Sequence, residues 1–242
     1  MTGPGTVTLR IPGLPPLRAD PGVLLVPLVA TFPLWWGLRG NSPWVAAIVV
    51  PGLILSVLAH ELGHAITAQR MGYPVQQIRL STEGGAAVLE GTTIHPPPAI
   101  TWAGPLVNLA LGLALLLAAA ALGAAAPAPD PGPYLTPPPA PTGLARRALL
   151  WLGWGNILLG AVNLLPAFPL DGGHLLADAI RRRSGPRRAL RLVGLLGMVL
   201  SALSWVALAA SVAAGVPLWL PPDWGPNWDA WRSAGQGPRA LG

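Results

Sequence analysis

The chain of 242 residues contains no cysteine. That excludes a disulfide framework and any thiolate metal site, so a bound metal would have to be held by histidine and carboxylate groups. Lysine is absent too, and all 15 basic residues are arginine. Charge of either sign is scarce, at 10% of residues, where ordinary soluble domains carry roughly 25%. Hydrophobic residues make up 52%, and the two figures together describe an integral membrane protein. The net charge of +6 lies in arginines grouped at the ends of apolar runs, a topology signal and not the basic face of a nucleic-acid binder. No nucleic-acid partner is expected. Glycine and proline number 30 each; a GC-rich coding sequence favours both, so much of the proline carries little structural information.

Five apolar runs, at residues 21–38, 44–68, 99–125, 148–166 and 189–214, each come near the ~20 residues that a helix needs to cross a bilayer. The first is read as a retained membrane helix, because residues 1–20 are proline-rich and no small-x-small cleavage site follows. With the N-terminus cytoplasmic, Arg10, Arg18, Arg70, Arg79 and the six arginines from Arg181 to Arg191 fall inside, leaving Arg39, Arg146, Arg147, Arg232 and Arg239 outside. This asymmetry favours a multi-pass plasma-membrane protein with its N-terminus inside. The proline-rich stretch 127–142 is expected to be an external connection. Beyond residue 214, Val216–Leu220 is too short to span, and Trp219, Trp224, Trp228 and Trp231 suit the membrane interface.

Within the second run stands His60-Glu61-Leu62-Gly63-His64, the H-E-x-x-H pattern of zinc hydrolases. Residues four apart in a helix project from nearly the same face, so His60 and His64 can offer two imidazole nitrogens to one ion. Glu61, about 100° round the helix, can reach a water at the open position and take its proton. Ionisable groups within a span are expensive in hydrocarbon and mark a functional site by default. His60 lies roughly 12 Å from the inner end of its helix, at ~1.5 Å per residue, which puts the site nearer the cytoplasm. A third ligand must come from elsewhere. Asp171 is the candidate, following a stretch broken by Pro166 and Pro169 and followed by Gly172-Gly173; non-helical backbone at membrane depth is tolerated only where it is buried in protein or lines a wet cavity. The alternative is that Asp171 merely caps the helix that begins there. His95 and His174 read as peripheral.

These motifs, with Ala103-Gly104-Pro105-Leu106-Val107-Asn108 in the third run and Asn163-Leu164-Leu165-Pro166 leading to Asp171-Gly172-Gly173, resemble the site-2 protease family of intramembrane zinc metalloproteases. Order and spacing match across roughly residues 44–185. The five apolar runs predict an α-helical polytopic fold of about five transmembrane helices, and the resemblance implies a three-helix zinc core among them. It implies Zn²⁺ held by His60, His64 and Asp171, Glu61 as catalytic base, and cleavage of membrane-anchored regulators or signal-peptide remnants. Asn108 and Asn163 could be interhelical glue, while the resemblance favours amides that hold an extended substrate or its developing oxyanion. The implied organisation is residues 1–43 as N-terminal segment and first helix, 44–185 as catalytic membrane core, and 186–242 as last helix and Trp/Pro-rich tail.

Between the second and third runs, Val75–Leu80 and Ala86–Glu90 flank Ser81-Thr82-Glu83-Gly84-Gly85, which predicts a small β-hairpin. It is either an ordinary hairpin or a strand edge, around Val88, on which an unwound substrate docks by strand addition. The connection of about thirty residues is too short for the inserted peptide-binding domain of some relatives, so regulation is expected to lie with a membrane partner or with an initial trimming of the substrate. A zinc transporter should show further His or Asp residues along neighbouring spans and a His-rich loop, and this chain has four histidines in all. An inactive scaffold should have lost Glu61 or a ligand. All are present.

Overall fold

A computed structural model describes residues 6–31, 43–81, 84–89, 96–123 and 141–214. In chain order these form strands β1 (Val7–Leu9) and β2 (Leu17–Ala19), a 3-10 turn at Pro21–Leu24 and the short helix α1 (Leu25–Ala30). There follow α2 (Pro43–Arg70), β3 (Val75–Ser81), β4 (Gly84–Leu89), α3 (Pro98–Gly123), α4 (Pro141–Asn163), α5 (Asp171–Ser184) and α6 (Pro186–Ala214). Each of the four long helices starts on a proline, whose fixed φ suits the first helical turn and whose missing N–H would be unsatisfied there anyway.

α2, α3 and α4 pack together, and small residues set how closely they approach. A Cβ at Gly63 of α2 would stand 2.9 Å from the Ala103 carbonyl oxygen of α3, and one at Gly112 of α3 would stand 2.8 Å from the Gly153 carbonyl oxygen of α4. Helix backbones in contact are the arrangement that small residues permit inside a membrane, where packing replaces the hydrophobic drive. At one end of this bundle Val45, Ala46, Val49 and Ala148 form a buried cluster with Leu53, Trp151 and Leu152 around it. α6 packs on α5 and leaves Leu190, Leu195, Met198, Leu203, Trp205 and Val206 exposed, as suits a helix that faces lipid.

Three helices, Trp44–Arg70, Pro98–Leu122 and Pro186–Ala207, are long and apolar enough to cross a bilayer. The fourth expected run is also a helix, but Arg146, Arg147, Asn156 and Asn163 make α4 less apolar. The first expected run is described only as far as Thr31, and its remainder lies outside the described residues. The stretch 127–142 and the tryptophan-bearing tail fall largely or wholly outside them too.

The expected hairpin is present but belongs to a four-stranded sheet in the order β1-β2-β3-β4. β2 runs parallel to β3, with Leu17 opposite Ile78, while β1–β2 and β3–β4 are antiparallel. α2 delivers the chain to this sheet through a left-handed Gly72 (φ 82). Tyr73 N–H reaches the Ala68 carbonyl at 2.9 Å and Gly72 N–H the Gln69 carbonyl at 3.0 Å, the paired bonds of a Schellman stop.

Candidate active site

α2 carries His60 and His64 on one face, one turn apart, and both are buried with Glu61. Their Nε2 atoms lie 3.1 Å apart. Asp171 reaches the same point from α5, its Oδ2 3.1 Å from His60 Nε2 and 3.4 Å from His64 Nε2. The residue preceding it, Leu170, is the helix cap and makes no side-chain cap bond. Asp171 is therefore the first residue inside the helix, and its carboxylate faces the histidines instead of capping. Gly172 and Gly173 make this approach possible. A Cβ on Gly172 would collide with the Leu164 carbonyl and one on Gly173 with the Ala167 carbonyl, so any larger residue would push α5 off the bend that precedes it. Within that bend the Phe168–Pro169 peptide is cis.

Hydrogen bonds on the far side of each ring decide which nitrogens are free. Asn108 Nδ2 donates to the Ser56 carbonyl at 3.1 Å and to Asn156 Oδ1 at 2.9 Å, which fixes the amide with Oδ1 turned to His60 Nδ1. A carbonyl oxygen only accepts, so His60 must carry its proton on Nδ1 and present a bare lone pair at Nε2. His64 Nδ1 donates likewise to the Ile100 carbonyl at 2.7 Å. Two imidazole lone pairs and a carboxylate oxygen thus converge with no donor among them, and such a set repels itself unless a cation lies between. Their ligand atoms all lie within 4.8 Å of one another. An N₂O set on neutral imidazoles, each oriented through its other nitrogen, is the donor chemistry that zinc takes. A Cβ on Gly104 of α3 would run into Nε2 of both histidines, so the missing side chain is what leaves the cluster open.

Asn156 is part of this scaffold and was not expected from the sequence. Its Nδ2 donates to Ser56 Oγ at 2.9 Å and to the Leu152 carbonyl at 2.8 Å, and Ser56 Oγ donates on to the Gly52 carbonyl at 2.8 Å. Asn108 and Asn156 are fully buried and Ser56 nearly so. One chain of bonds therefore ties α2, α3 and α4 to the orientation of His60. The signal available in the sequence was Ser56, one turn before His60 on the same face.

Glu61 points elsewhere, towards the sheet. A Cβ on Gly85 of β4 would collide with its carboxylate, and the Ala87 N–H is directed at the same group. The parity of the sheet agrees. Ile78 N–H bonds to the Pro16 carbonyl and Asp20 N–H to the Leu80 carbonyl, so Ile78 and Leu80 face β2. Gln77 and Arg79 then face β4, where their partners are Val88 and Ala86. Main-chain groups alternate along a strand. Gly85 and Ala87 accordingly hold the outward edge beside Glu61, while the main chain of Val88 is turned inward to β3. Asn108 has its amide engaged with His60, Ser56 and Asn156. Asn163 is half-buried at the end of α4 and donates to the Leu159 carbonyl of its own helix at 2.9 Å. His174 stacks edge-on against Phe168 at 5.1 Å, outside the cluster, and His95 lies outside the described residues.

Comparison with known proteins follows the same elements. A model described as Peptidase M50B-like matches residues 24–128, and one for Peptidase family M50 matches residues 138–204. Rip3 of Mycobacterium tuberculosis, a protein that bears the name of a zinc metalloprotease, is 36% identical over 165 residues, covering 64% of this chain and 38% of that protein. Zinc metalloprotease MJ0392 of Methanocaldococcus jannaschii is 27% identical over 164 residues, covering 68% of this chain and 43% of that protein. The chain thus spans about two fifths of the length of these curated relatives. The solved structure of the site-2 protease from Methanocaldococcus jannaschii aligns with a TM-score of 0.55 at 25% identity, covering 86% of each chain. With one peptidase family matched in both halves, over the helices that bear His60 and His64 and then the one that bears Asp171, this chain belongs to the site-2 protease family.

Proposed function

We propose that this protein is an intramembrane zinc metalloprotease that cuts membrane-anchored regulators or signal-peptide remnants, in regulated intramembrane proteolysis. The observation that carries this reading is the convergence of His60 Nε2, His64 Nε2 and Asp171 Oδ2 on one point, with a separate buried carboxylate, Glu61, on the residue after His60 and directed at β4. Zinc held by His60, His64 and Asp171 would supply Lewis acidity, to activate a water and polarise a carbonyl. Glu61 takes the proton of the attacking water and returns it to the leaving amine. The His60–Asn108–Asn156–Ser56 chain holds one ligand in its tautomer. Asn108 acts through His60, as a positioning residue. A transporter would need further ligands along a path, and among the described residues no second group of three accompanies the first.

A peptide bond inside a helix is shielded by its own hydrogen bonds, and strand addition replaces them when the substrate unwinds. The outward groups of Gly85 and Ala87 supply that edge next to Glu61. The test is cleavage of a single-span membrane protein by the purified chain in detergent. Cleavage should stop with a chelator and return with zinc, and chelator-insensitive cleavage would refute the reading. In the same assay Ala87→Pro should cut a helical substrate far more slowly, because proline removes an outward donor, the one that also meets the Glu61 carboxylate, while the ladder to β3 stays intact. A substrate loosened by Gly or Asn near the scissile bond should be partly spared. Equal loss on both substrates would instead mean misfolding or a displaced Glu61, and would remove this edge as the docking strand.

The proposed topology is five spans in the plasma membrane, N-terminus cytoplasmic, with α5 at the inner face. Residues 1–43 form the N-terminal unit, 44–185 the core and 186–242 the last helix and tail. In this cysteine-free chain, single cysteines at Gly143 and Ser184 should label from opposite sides, Ser184 from the cytoplasm. Labelling of both from one side would discard the model.

A further inference from the structure

A second cavity lies away from the histidines. It measures about 440 Å³ and opens between the start of α3, at Pro98 and Trp102, and α5, at Leu175, Ala179, Arg182 and Arg183. Its chemistry is divided. Its lining joins two arginines, Arg182 and Arg183, both exposed, to the indole of Trp102 and the aliphatic Leu175 and Ala179. Asp178 also lines it, but that carboxylate is paired with Arg181 at 3.3 Å. Arg182 and Arg183 make no ion pair among the described residues. The cavity continues onto an apolar stripe of α3, where Trp102, Leu106, Leu113 and Leu117 are 42% to 62% exposed and share one helix face.

Depth supports the same division. α5 carries Arg181-Arg182-Arg183 in its last turn, Gly185 (φ 83) follows, and α6 then adds Arg187, Arg188 and Arg191 before its sequence becomes continuously apolar. Arg182 and Arg183 therefore belong to the arginine-rich headgroup side of the span, and Trp102 suits the interface beside it.

We propose that this cavity is a binding site for one anionic phospholipid, with its phosphate on Arg182 and Arg183, its glycerol region against Trp102, and an acyl chain along Leu106, Leu113 and Leu117. A lipid fits better than an acidic protein segment because the polar end is small and leads directly into a hydrocarbon-facing stripe. The two walls of the cavity are the segments that place the histidine and aspartate ligands. Pro98 and Trp102 flank Ile100, whose carbonyl holds His64, and α5 begins with Asp171. A lipid that bridges them braces both.

The site is independent of the protease reading and is tested without cleavage. The purified chain is titrated in detergent with phosphatidylglycerol or phosphatidylcholine of identical acyl chains, and bound lipid is counted by native mass spectrometry. One phosphatidylglycerol should be retained in preference to phosphatidylcholine. R182Q/R183Q should weaken it about thirtyfold, since an arginine at a charged membrane surface is worth roughly fivefold in affinity. A179W, which fills the cavity and leaves charge unchanged, should weaken it too. Inorganic phosphate and a soluble acidic peptide should not displace the lipid. Wild-type retention by R182Q/R183Q or by A179W would overturn the proposal. So would an equal loss in R187Q/R188Q, the mark of diffuse attraction, or displacement by the phosphate or the peptide.

Discussion

Exchanging Glu61 for glutamine is expected to lower cleavage about 10²–10⁴-fold, the usual contribution of a positioned general base, while zinc stays at one ion per chain. The two readouts separate because Glu61 is outside the ligand cluster: its carboxylate lies under Gly85 of β4, while the ligand atoms converge elsewhere. Glutamine keeps the shape that fits beneath Gly85 and removes only the basicity. Zinc content by elemental analysis and product formation on one substrate decide the matter. A Glu61→Gln protein that retains zinc and cuts at the wild-type rate would remove Glu61 from the mechanism. One that loses zinc would make Glu61 a ligand and reassign the site.

Asp171→Ala is expected to lose zinc and activity together. Residues that only orient a ligand typically contribute 10–100-fold to metal affinity, and removing a direct ligand should exceed that range. If Asp171 served only the helix, as an acidic residue in its first turn, its loss would cost about 0.3–1 kcal/mol of stability and leave zinc bound. The orientation of its carboxylate, 3.1 Å and 3.4 Å from the two imidazoles, favours the first outcome. Zinc content of the variant in a competition with a chelator of known affinity distinguishes them, and thermal melting shows whether the fold has survived.

The part of the site that lies within one element was legible in the sequence. His60 and His64 share a helix face because of the 3.6-residue turn, and Asp171 was marked by the prolines before it and the glycines after it. What crosses between elements with no local mark in the chain was not. Asn156 and Ser56 look like isolated polar residues until α2 and α4 pack, since hydrogen-bond partners 100 residues apart leave no local pattern. The choice between Val88 and its neighbours needed the pairing of β3 with β2, because inward and outward groups alternate along a strand and only the sheet fixes the phase. β1 and β2 escaped notice for a simpler reason. Strands of three residues beside prolines are too short to show alternation. α4 was correctly expected as a helix, although its arginines and asparagines set it apart from the three more apolar ones.

The Schellman stop at Gly72 leaves only four residues between the helix that bears the histidines and the strand that pairs with β4, and Gly85 of β4 in turn covers Glu61 of that helix. A substrate docked on that sheet, as proposed, would meet Glu61 with a fixed phase. Sliding by one residue moves the chain about 3.3 Å and turns its carbonyls to the other side, and only a slide of two restores the presentation. A strand docked in the proposed way would therefore offer every second peptide bond to the site. Alternative products from one substrate should differ in length by two residues, a spacing that mass spectrometry would read directly and that a one-residue ladder of products would contradict.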